Sequence, residues 1–263
     1  MNWTEQEIEA AALAIAGTYG GTPPARYTKL AAELEGAQRH DVQTPPGTLA
    51  AWRVGDGPAV LLVHGFSDSH ALWGPLMAAL KQNCRAFVAF DLPGHGLSCE
   101  GTSTTDMGMD AIYAVANALG PIDAIVAHSM SAASAICALA EDLRVERAVM
   151  IAAATPNERQ FVELQRRAPE GAPAAVIARA REILLSRQEP FADRIYVSHA
   201  AARLQMPALL VHSRDDDRWS PEGSAHIASL WQGAQLHLVD GLGHRKIARD
   251  ADVVLRVAAF LDE

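Results

Sequence analysis

A single serine, Ser129, lies between a short apolar run and a stretch with the composition of a helix. Residues 122–127 are typical of a buried strand, and residues 132–140 are typical of a helix. A sharp turn from strand to helix brings the two backbones close together, so the residues two before and two after the serine must be small. Ala127 and Ser131 are small, although glycine is usual at both positions. Such a turn exposes the hydroxyl and lets the next backbone N–H face a developing oxyanion, which predicts a nucleophilic serine.

Short apolar runs alternate with helical segments from residue 59 onward. The predicted strands are residues 59–63, 85–90, 122–127, 148–152, 208–211 and 235–239. The predicted helices are residues 71–81, 106–119, 132–140, 221–231 and 250–261. Short, wholly apolar runs suit strands that are buried on both faces of a parallel sheet. The alternation therefore predicts one α/β domain over residues 1–263, with a mostly parallel twisted sheet and helices on both faces.

Residues 155–204 interrupt this alternation and contain no convincing strand. Two groups of apolar residues in this segment each share a helical face. The first group is Phe161, Leu164 and Ala168, and the second is Val176, Ile177, Ala180, Ile183 and Leu184. A helical segment of this length between two core strands predicts a short helical cap inserted over the site. The alternative is a structural connection that packs away from the site.

The first 38 residues predict two helices, separated by a glycine- and proline-rich break at residues 20–24. Thr4 and Glu7 have the spacing of a helix capping box. The N-terminus carries acidic residues where a signal peptide needs positive charge. Its apolar stretch ends at Gly17, too early to span a bilayer. We therefore expect neither a targeting signal nor contact with a membrane.

Charge and cysteine content exclude several classes of protein. The net charge is −9, which argues against a nucleic-acid binder. The three cysteines, Cys84, Cys99 and Cys137, have the spacing of neither a disulfide framework nor a metal site, so we expect reduced thiols in a cytoplasmic protein. No histidine motif for a metal and no glycine-rich nucleotide motif is present, so no cofactor is expected. Nothing in the sequence indicates an oligomeric state.

Two loops after predicted strands carry the partners that an activated serine needs. A serine nucleophile requires a nearby base, and the base requires a carboxylate that orients it. In parallel α/β sheets such groups follow the carboxyl ends of the strands. Residues 212–217 follow one strand and contain three consecutive aspartates, and residues 240–244 follow the next strand and end in His244. The chain order is therefore serine, aspartate, histidine.

Four motifs in this order resemble those of the α/β-hydrolase superfamily, in particular its lipase and esterase-type serine hydrolases. Residues 63–66 resemble the H-G-x oxyanion-hole loop, and residues 91–98 resemble the D-x-P-G-H-G-x-S segment. Residues 128–130 resemble the turn that carries the nucleophile, and residues 241–244 resemble the histidine loop. The resemblance covers residue 59 to the C-terminus and implies an α/β-hydrolase fold with a short helical cap.

The resemblance implies a role for individual residues. Ser129 is similar to the nucleophile and His244 to the general base, and the backbone N–H groups of Phe66 and Met130 would form the oxyanion hole. The position of the acid allows two interpretations. Counting forward from the strand gives Asp216, which we favour, whereas counting back from the following proline gives Asp217.

Two neighbours of Ser129 have structural interpretations. The hydroxyl of Ser131 is expected to bond a backbone carbonyl. The resemblance implies a structural or pocket-wall role for His128.

The expected activity is that of a carboxylesterase-like serine hydrolase. It would cleave a small or medium ester, or another small acyl substrate, through an acyl-enzyme. The same three residues also support hydrolysis of carbon–carbon bonds or perhydrolase chemistry, and a ligand receptor with little turnover is a further alternative. Epoxide hydrolases and dehalogenases are disfavoured, because they carry an aspartate where this chain has Ser129.

Overall fold

An eight-stranded sheet forms the centre of the part of the chain that the computed structural model describes. Its strands are β1 Arg39–Thr44, β2 Gly47–Val54, β3 Ala59–Val63, β4 Ala86–Phe90, β5 Ile122–His128, β6 Arg147–Ile151, β7 Ala208–Ser213 and β8 Ala234–Val239. The spatial order is β1-β2-β4-β3-β5-β6-β7-β8. The pairs β1–β2 and β2–β4 are antiparallel, and all later neighbours are parallel.

The structure describes residues 3–16, 23, 26–155, 164, 168–188 and 196–263, and for residues 184–188 it describes the backbone only. The described helices are α1 Glu5–Ala16, α2 Gly74–Gln82, α3 Thr105–Leu119, α4 Met130–Glu141, α5 Ala174–Gln188, α6 Val197–Ala201, α7 Pro221–Leu230, α8 Gly243–Lys246 and α9 Ala251–Asp262. None of them is long and apolar enough to cross a membrane.

The central strands of the sheet are buried on both faces. Every residue of β3 and β4 is buried. Alternate residues of β3 point to opposite sides: Leu61 packs with α3 and α4, whereas Val60 and Leu62 pack with α2 and α9. Burying an aliphatic side chain of this size contributes about 1.5–3 kcal/mol. The predicted parallel α/β architecture is confirmed, because only strands covered by helices on both faces can be apolar throughout.

One predicted element near the N-terminus is wrong. The second of the two helices expected in the first 38 residues is, among residues 26–38, a single 3₁₀ turn at Ala32–Leu34. Contacts with the rest of the molecule replace the helical hydrogen bonds. The guanidinium of Arg26 donates to the carbonyl of Gly96 at 2.9 Å, and the N–H of Ala31 donates to Nε2 of His70 at 3.2 Å. These bonds hold the segment in a non-helical path.

The first N-terminal helix, α1, is present and is capped as predicted. The N–H of Thr4 donates to Glu7 Oε2 at 2.8 Å, and the N–H of Glu7 donates to Thr4 Oγ1 at 3.3 Å. The buried face of α1 packs against α5 in a small apolar cluster that is separate from both faces of the sheet. Its buried members are Ala12, Ile15, Ala16, Leu164, Val176, Ala180 and Ile183.

The predicted cap is described only in part. Helix α5 confirms helical structure over residues 174–188, with Val176, Ala180 and Ile183 on its buried face. The expected contributions of Phe161 and of the Leu184 side chain lie outside the described residues. The placement of residues 155–204 over the site stays a prediction.

Candidate active site

Ser129 occupies a strained turn between β5 and α4. Its φ is 57° and its ψ is −123°, a conformation that costs a non-glycine residue of the order of 1–3 kcal/mol. Two backbone bonds hold this turn: the N–H of Ser129 donates to the carbonyl of Ile151 at 3.0 Å, and its carbonyl accepts from the N–H of Ala154 at 3.1 Å. The surrounding structure therefore stabilises a conformation that directs the hydroxyl away from the sheet.

His244 lies between Ser129 and Asp216. It is on the short helix α8, directly after β8, and is buried. Its Nε2 is 2.9 Å from Ser129 Oγ, and its Nδ1 is 2.8 Å from Asp216 Oδ2. An ionised carboxylate only accepts hydrogen bonds, so Nδ1 carries the proton and Nε2 accepts from the serine hydroxyl. Such a continuous chain of hydrogen bonds can remove the serine proton during attack on a carbonyl.

Asp216 is held as an ionised acceptor. Its Oδ1 accepts from the backbone N–H groups of Arg218 at 2.8 Å and Trp219 at 3.0 Å. Burial raises the pKa of Asp216, but hydrogen bonds from His212 and His244 outweigh burial and hold that pKa well below its usual range. Of the two carboxylates considered from the sequence, the structure places Asp216 beside His244, whereas Asp217 is exposed.

Ser213 and Asp215 fix the loop that carries His244. The Ser213 hydroxyl accepts from the N–H of Gly243 at 3.2 Å and donates to Asp215 Oδ1. Asp215 Oδ1 also accepts from the N–H of Gly241 at 2.9 Å. Sequence reasoning treated this aspartate run only as a choice of acid and missed the support that Asp215 gives. A signal was available in Ser213, a hydroxyl at a position where the family often has glycine.

His128 supports the backbone of His244. Its Nε2–H donates to the backbone carbonyl of His244 at 2.9 Å, and the two ring centroids are 4.9 Å apart. Burial lowers the pKa of His128 to about 4, so this ring is neutral at pH 7. The structure therefore places His128 against the backbone of the histidine loop, in agreement with a structural interpretation.

The loop after β3 passes close to Ser129 at Gly65. The backbones approach so closely that a Cβ added to Gly65 would lie 3.0 Å from the Cβ of Ser129. The Ser131 hydroxyl donates to the carbonyl of His64 at 2.5 Å, which joins this loop to α4. Ser131 thus bonds a backbone carbonyl as predicted, although the carbonyl belongs to another element. Phe66 and Met130, the two proposed N–H donors, are adjacent in sequence to Gly65 and Ser129.

Buried histidines and Asp91 hold the far end of the same loop. His95 Nε2 accepts from the N–H of Ser67 at 3.0 Å, and the ring packs edge-on against Phe66. Burial lowers the pKa of His95 to about 4, which keeps Nε2 free to accept. Asp91 accepts from the N–H of His70 at 2.7 Å. Burial raises the pKa of Asp91, but a second hydrogen bond, from Nδ1 of the His70 ring at 2.9 Å, helps to hold that pKa below its usual range.

The arrangement is suited to acyl transfer by amino-acid side chains alone. It combines a serine hydroxyl, a histidine and an ionised carboxylate with nearby backbone N–H groups. Among the described residues, no group of three or more histidine, cysteine, aspartate or glutamate side chains is arranged to hold a metal ion.

Known sequences similar to this chain include esterases. A pimeloyl-[acyl-carrier protein] methyl ester esterase of Xanthomonas campestris is 29% identical over 241 residues, covering 76% of this chain and 93% of that protein. An enzyme of the same name from Nitrosospira multiformis is 23% identical over 236 residues, covering 73% of this chain and 89% of that protein.

Solved structures with the same fold cover most of the chain. An esterase of Pyrococcus furiosus superposes with a TM-score of 0.69 at 20% identity, covering 92% of this chain and 98% of that one. An esterase of Thermogutta terrifontis gives a TM-score of 0.62 at 22% identity, covering 86% and 98%. The sequence model described as Alpha/beta hydrolase family matches residues 60–257. That match spans the sheet from β3 onward together with Ser129, Asp216 and His244, and the chain therefore belongs to the alpha/beta hydrolase family.

Proposed function

We propose that the chain is a carboxylesterase-like serine hydrolase that cleaves a small or medium ester through an acyl-enzyme. One observation carries the proposal: two hydrogen bonds of 2.9 and 2.8 Å join Ser129 Oγ, His244 and Asp216 Oδ2 in a line. The sequence relatives that act on methyl esters support the same bond type.

Acylation begins when Ser129 Oγ attacks the ester carbonyl and His244 Nε2 accepts its proton. Asp216 keeps the Nδ1–H of His244 oriented and stabilises the imidazolium that forms. The N–H groups of Phe66 and Met130 donate to the oxyanion, and each such donor contributes about 3–4 kcal/mol in comparable enzymes. His244 then returns the proton to the departing alcohol.

Deacylation repeats these steps with water. The same Nε2 removes a proton from the attacking water, and the second tetrahedral species releases the acid and regenerates Ser129. The hydrogen bonds of His128, Ser213 and Asp215 to the loop that carries His244 support this role for the histidine.

The proposed substrate is a small-molecule ester or acyl compound and the proposed location is the cytoplasm. Three free cysteines, of which Cys84 is exposed, fit a reducing compartment.

Hydrolysis of p-nitrophenyl esters of graded acyl length tests the proposal. Wild type should release p-nitrophenol with multiple turnovers and prefer one range of acyl length, and Ser129→Ala should lose nearly all of this activity. Folded wild type that binds these esters without turnover would contradict the proposal and favour a ligand receptor.

A further inference from the structure

Asp216 accepts hydrogen bonds from two histidines on the same carboxylate oxygen. Its Oδ2 lies 2.8 Å from Nδ1 of His244 and 3.1 Å from Nε2 of His212. The proposed mechanism uses the contact with His244 and assigns no role to His212. A second N–H on the oxygen that faces the base can affect the position of that oxygen.

The partners of His212 fix its tautomer. Nε2 faces two acceptors, Asp216 Oδ2 and the carbonyl oxygen of Trp219 at 3.0 Å, so Nε2 carries the proton. Nδ1 is then an acceptor, and the Ser224 hydroxyl donates to it at 2.7 Å. Both ring nitrogens of a neutral His212 are thus paired.

His212 connects the loop carboxylate to rigid parts of the fold. It is the fifth residue of β7 and is fully buried, and Ser224 is fully buried on α7. Asp216 belongs to the loop that follows β7. A buried carboxylate that loses one donor moves toward its remaining partners, because an unsatisfied buried acceptor is costly. The His212 bond therefore restrains Oδ2, whereas the backbone N–H groups of Arg218 and Trp219 hold Oδ1.

We propose that His212 is a positioning residue for Asp216: its Nε2–H holds Oδ2 at the point where the Nδ1–H of His244 meets it. The proposal rests on the proposed function, in which Asp216 orients the base. His212 acts through Asp216 and does not touch the reacting atoms.

His212→Asn and His212→Gln form a matched pair. The asparagine amide reaches only the Nδ1 position near Ser224, whereas the glutamine amide extends to the Nε2 position beside Asp216. We expect H212N to lower kcat for a p-nitrophenyl ester by about 10- to 100-fold with little change in KM, the scale of a displaced catalytic group. H212Q should stay within about fivefold of wild type, because it restores the hydrogen bond. Equal losses in the two variants would overturn the proposal.

Ser224→Ala is the matched control for packing. It removes the bond to Nδ1 of His212 but leaves the bond to Asp216. We expect a lower Tm and a loss of kcat that is clearly smaller than that of H212N, because the bond to Asp216 remains. A loss of kcat as large as that of H212N would show that the packing around the ring, and not its bond to Asp216, causes the loss in H212N.

A measurement on the unchanged protein applies even where a variant fails to fold. In ¹⁵N-histidine NMR at the pH of the activity assay, Nε2 of His212 should carry a proton, because it faces Asp216 Oδ2 and the carbonyl oxygen of Trp219. Protonation on Nδ1 alone would overturn the proposal. Wild type without ester hydrolysis would instead contradict the proposed function, because the variants are compared only with an active wild type.

Discussion

Asp216 and Asp217 are neighbours in the chain but differ in what they face. Asp216 Oδ2 is 2.8 Å from His244 Nδ1, whereas Asp217 is exposed. Asp216→Asn should lower kcat by about 10⁴-fold, because the amide can hold the imidazole in the wrong tautomer. Asp217→Asn is the matched control and should stay within a few-fold of wild type in the same p-nitrophenyl ester assay. A larger loss of kcat in Asp217→Asn than in Asp216→Asn would show that Asp217, and not Asp216, orients His244.

Some residues of the candidate site can be predicted from the sequence and others cannot. Ser129, Asp216 and His244 can be predicted because each follows a recognisable strand, and parallel strands end at one edge of a sheet. Ser213, a hydroxyl where the family often has glycine, indicates that this loop is unusual, but the contacts of His212 and Asp215 could not be predicted from it. They depend on how side chains within one loop divide a few acceptors among them, and neither strand periodicity nor motif spacing contains that information.

Helices α1 and α5 share an apolar cluster that is separate from the two faces of the sheet. Ala12→Asp would place a charge at a fully buried position of this cluster, whereas Leu13→Asp would place the same charge where the side chain is 43% exposed. We expect Ala12→Asp to lower the Tm and to change KM and acyl-length preference, because α5 belongs to the predicted cap. Leu13→Asp should have the Tm, the KM and the acyl-length preference of wild type.

An unchanged acyl-length profile in a folded Ala12→Asp variant would mean that α5 packs away from the site. Labelling of Ser129 by a fluorophosphonate should persist in this variant, because Ser129, His244 and Asp216 are held by the sheet and its loops. Loss of labelling without unfolding would show a direct contribution of the α1–α5 cluster to the chemistry.

Elements differ in how far the sequence predicts them. Strands β3 to β8 are confirmed to within a few residues. For β3 to β7 the reason is that burial on both faces leaves an apolar run that is hard to mistake, whereas β8 lies at the edge of the sheet and is half-buried or exposed. The helix predicted before β1 is wrong, because tertiary contacts decide the path of that segment. Arg26 and Ala31 bond to residues about 40 to 70 positions away, and such tertiary bonds override local helix propensity.

The whole molecule should lose stability as the pH falls from about 6.5 to 4. His95 and His128 have pKa values of about 4 in the folded protein, because burial disfavours the charged form. In the unfolded chain their pKa is about 6.5, so over this interval the unfolded state binds more protons and is favoured. Each histidine contributes at most about 3 kcal/mol to this loss.

Urea unfolding at a series of pH values measures this effect. The free energy of unfolding should be greatest above pH 6.5 and should fall as the pH is lowered toward 4. His95→Gln should show a smaller fall than wild type, because it removes one of the buried histidines whose pKa is lowered by folding. A free energy that is constant between pH 6.5 and 4 would contradict the neutral, buried state of these rings.

The central claim is that Ser129, His244 and Asp216 act as one unit that activates the serine. Reaction of the folded protein with a fluorophosphonate, followed by mass spectrometry of the labelled peptide, tests this claim most directly. We predict rapid modification of Ser129 in wild type and in Ser131→Ala, none in Ser129→Ala, and a rate lower by orders of magnitude in His244→Ala. Labelling that survives Ser129→Ala, or a folded wild type that does not react, would contradict the account.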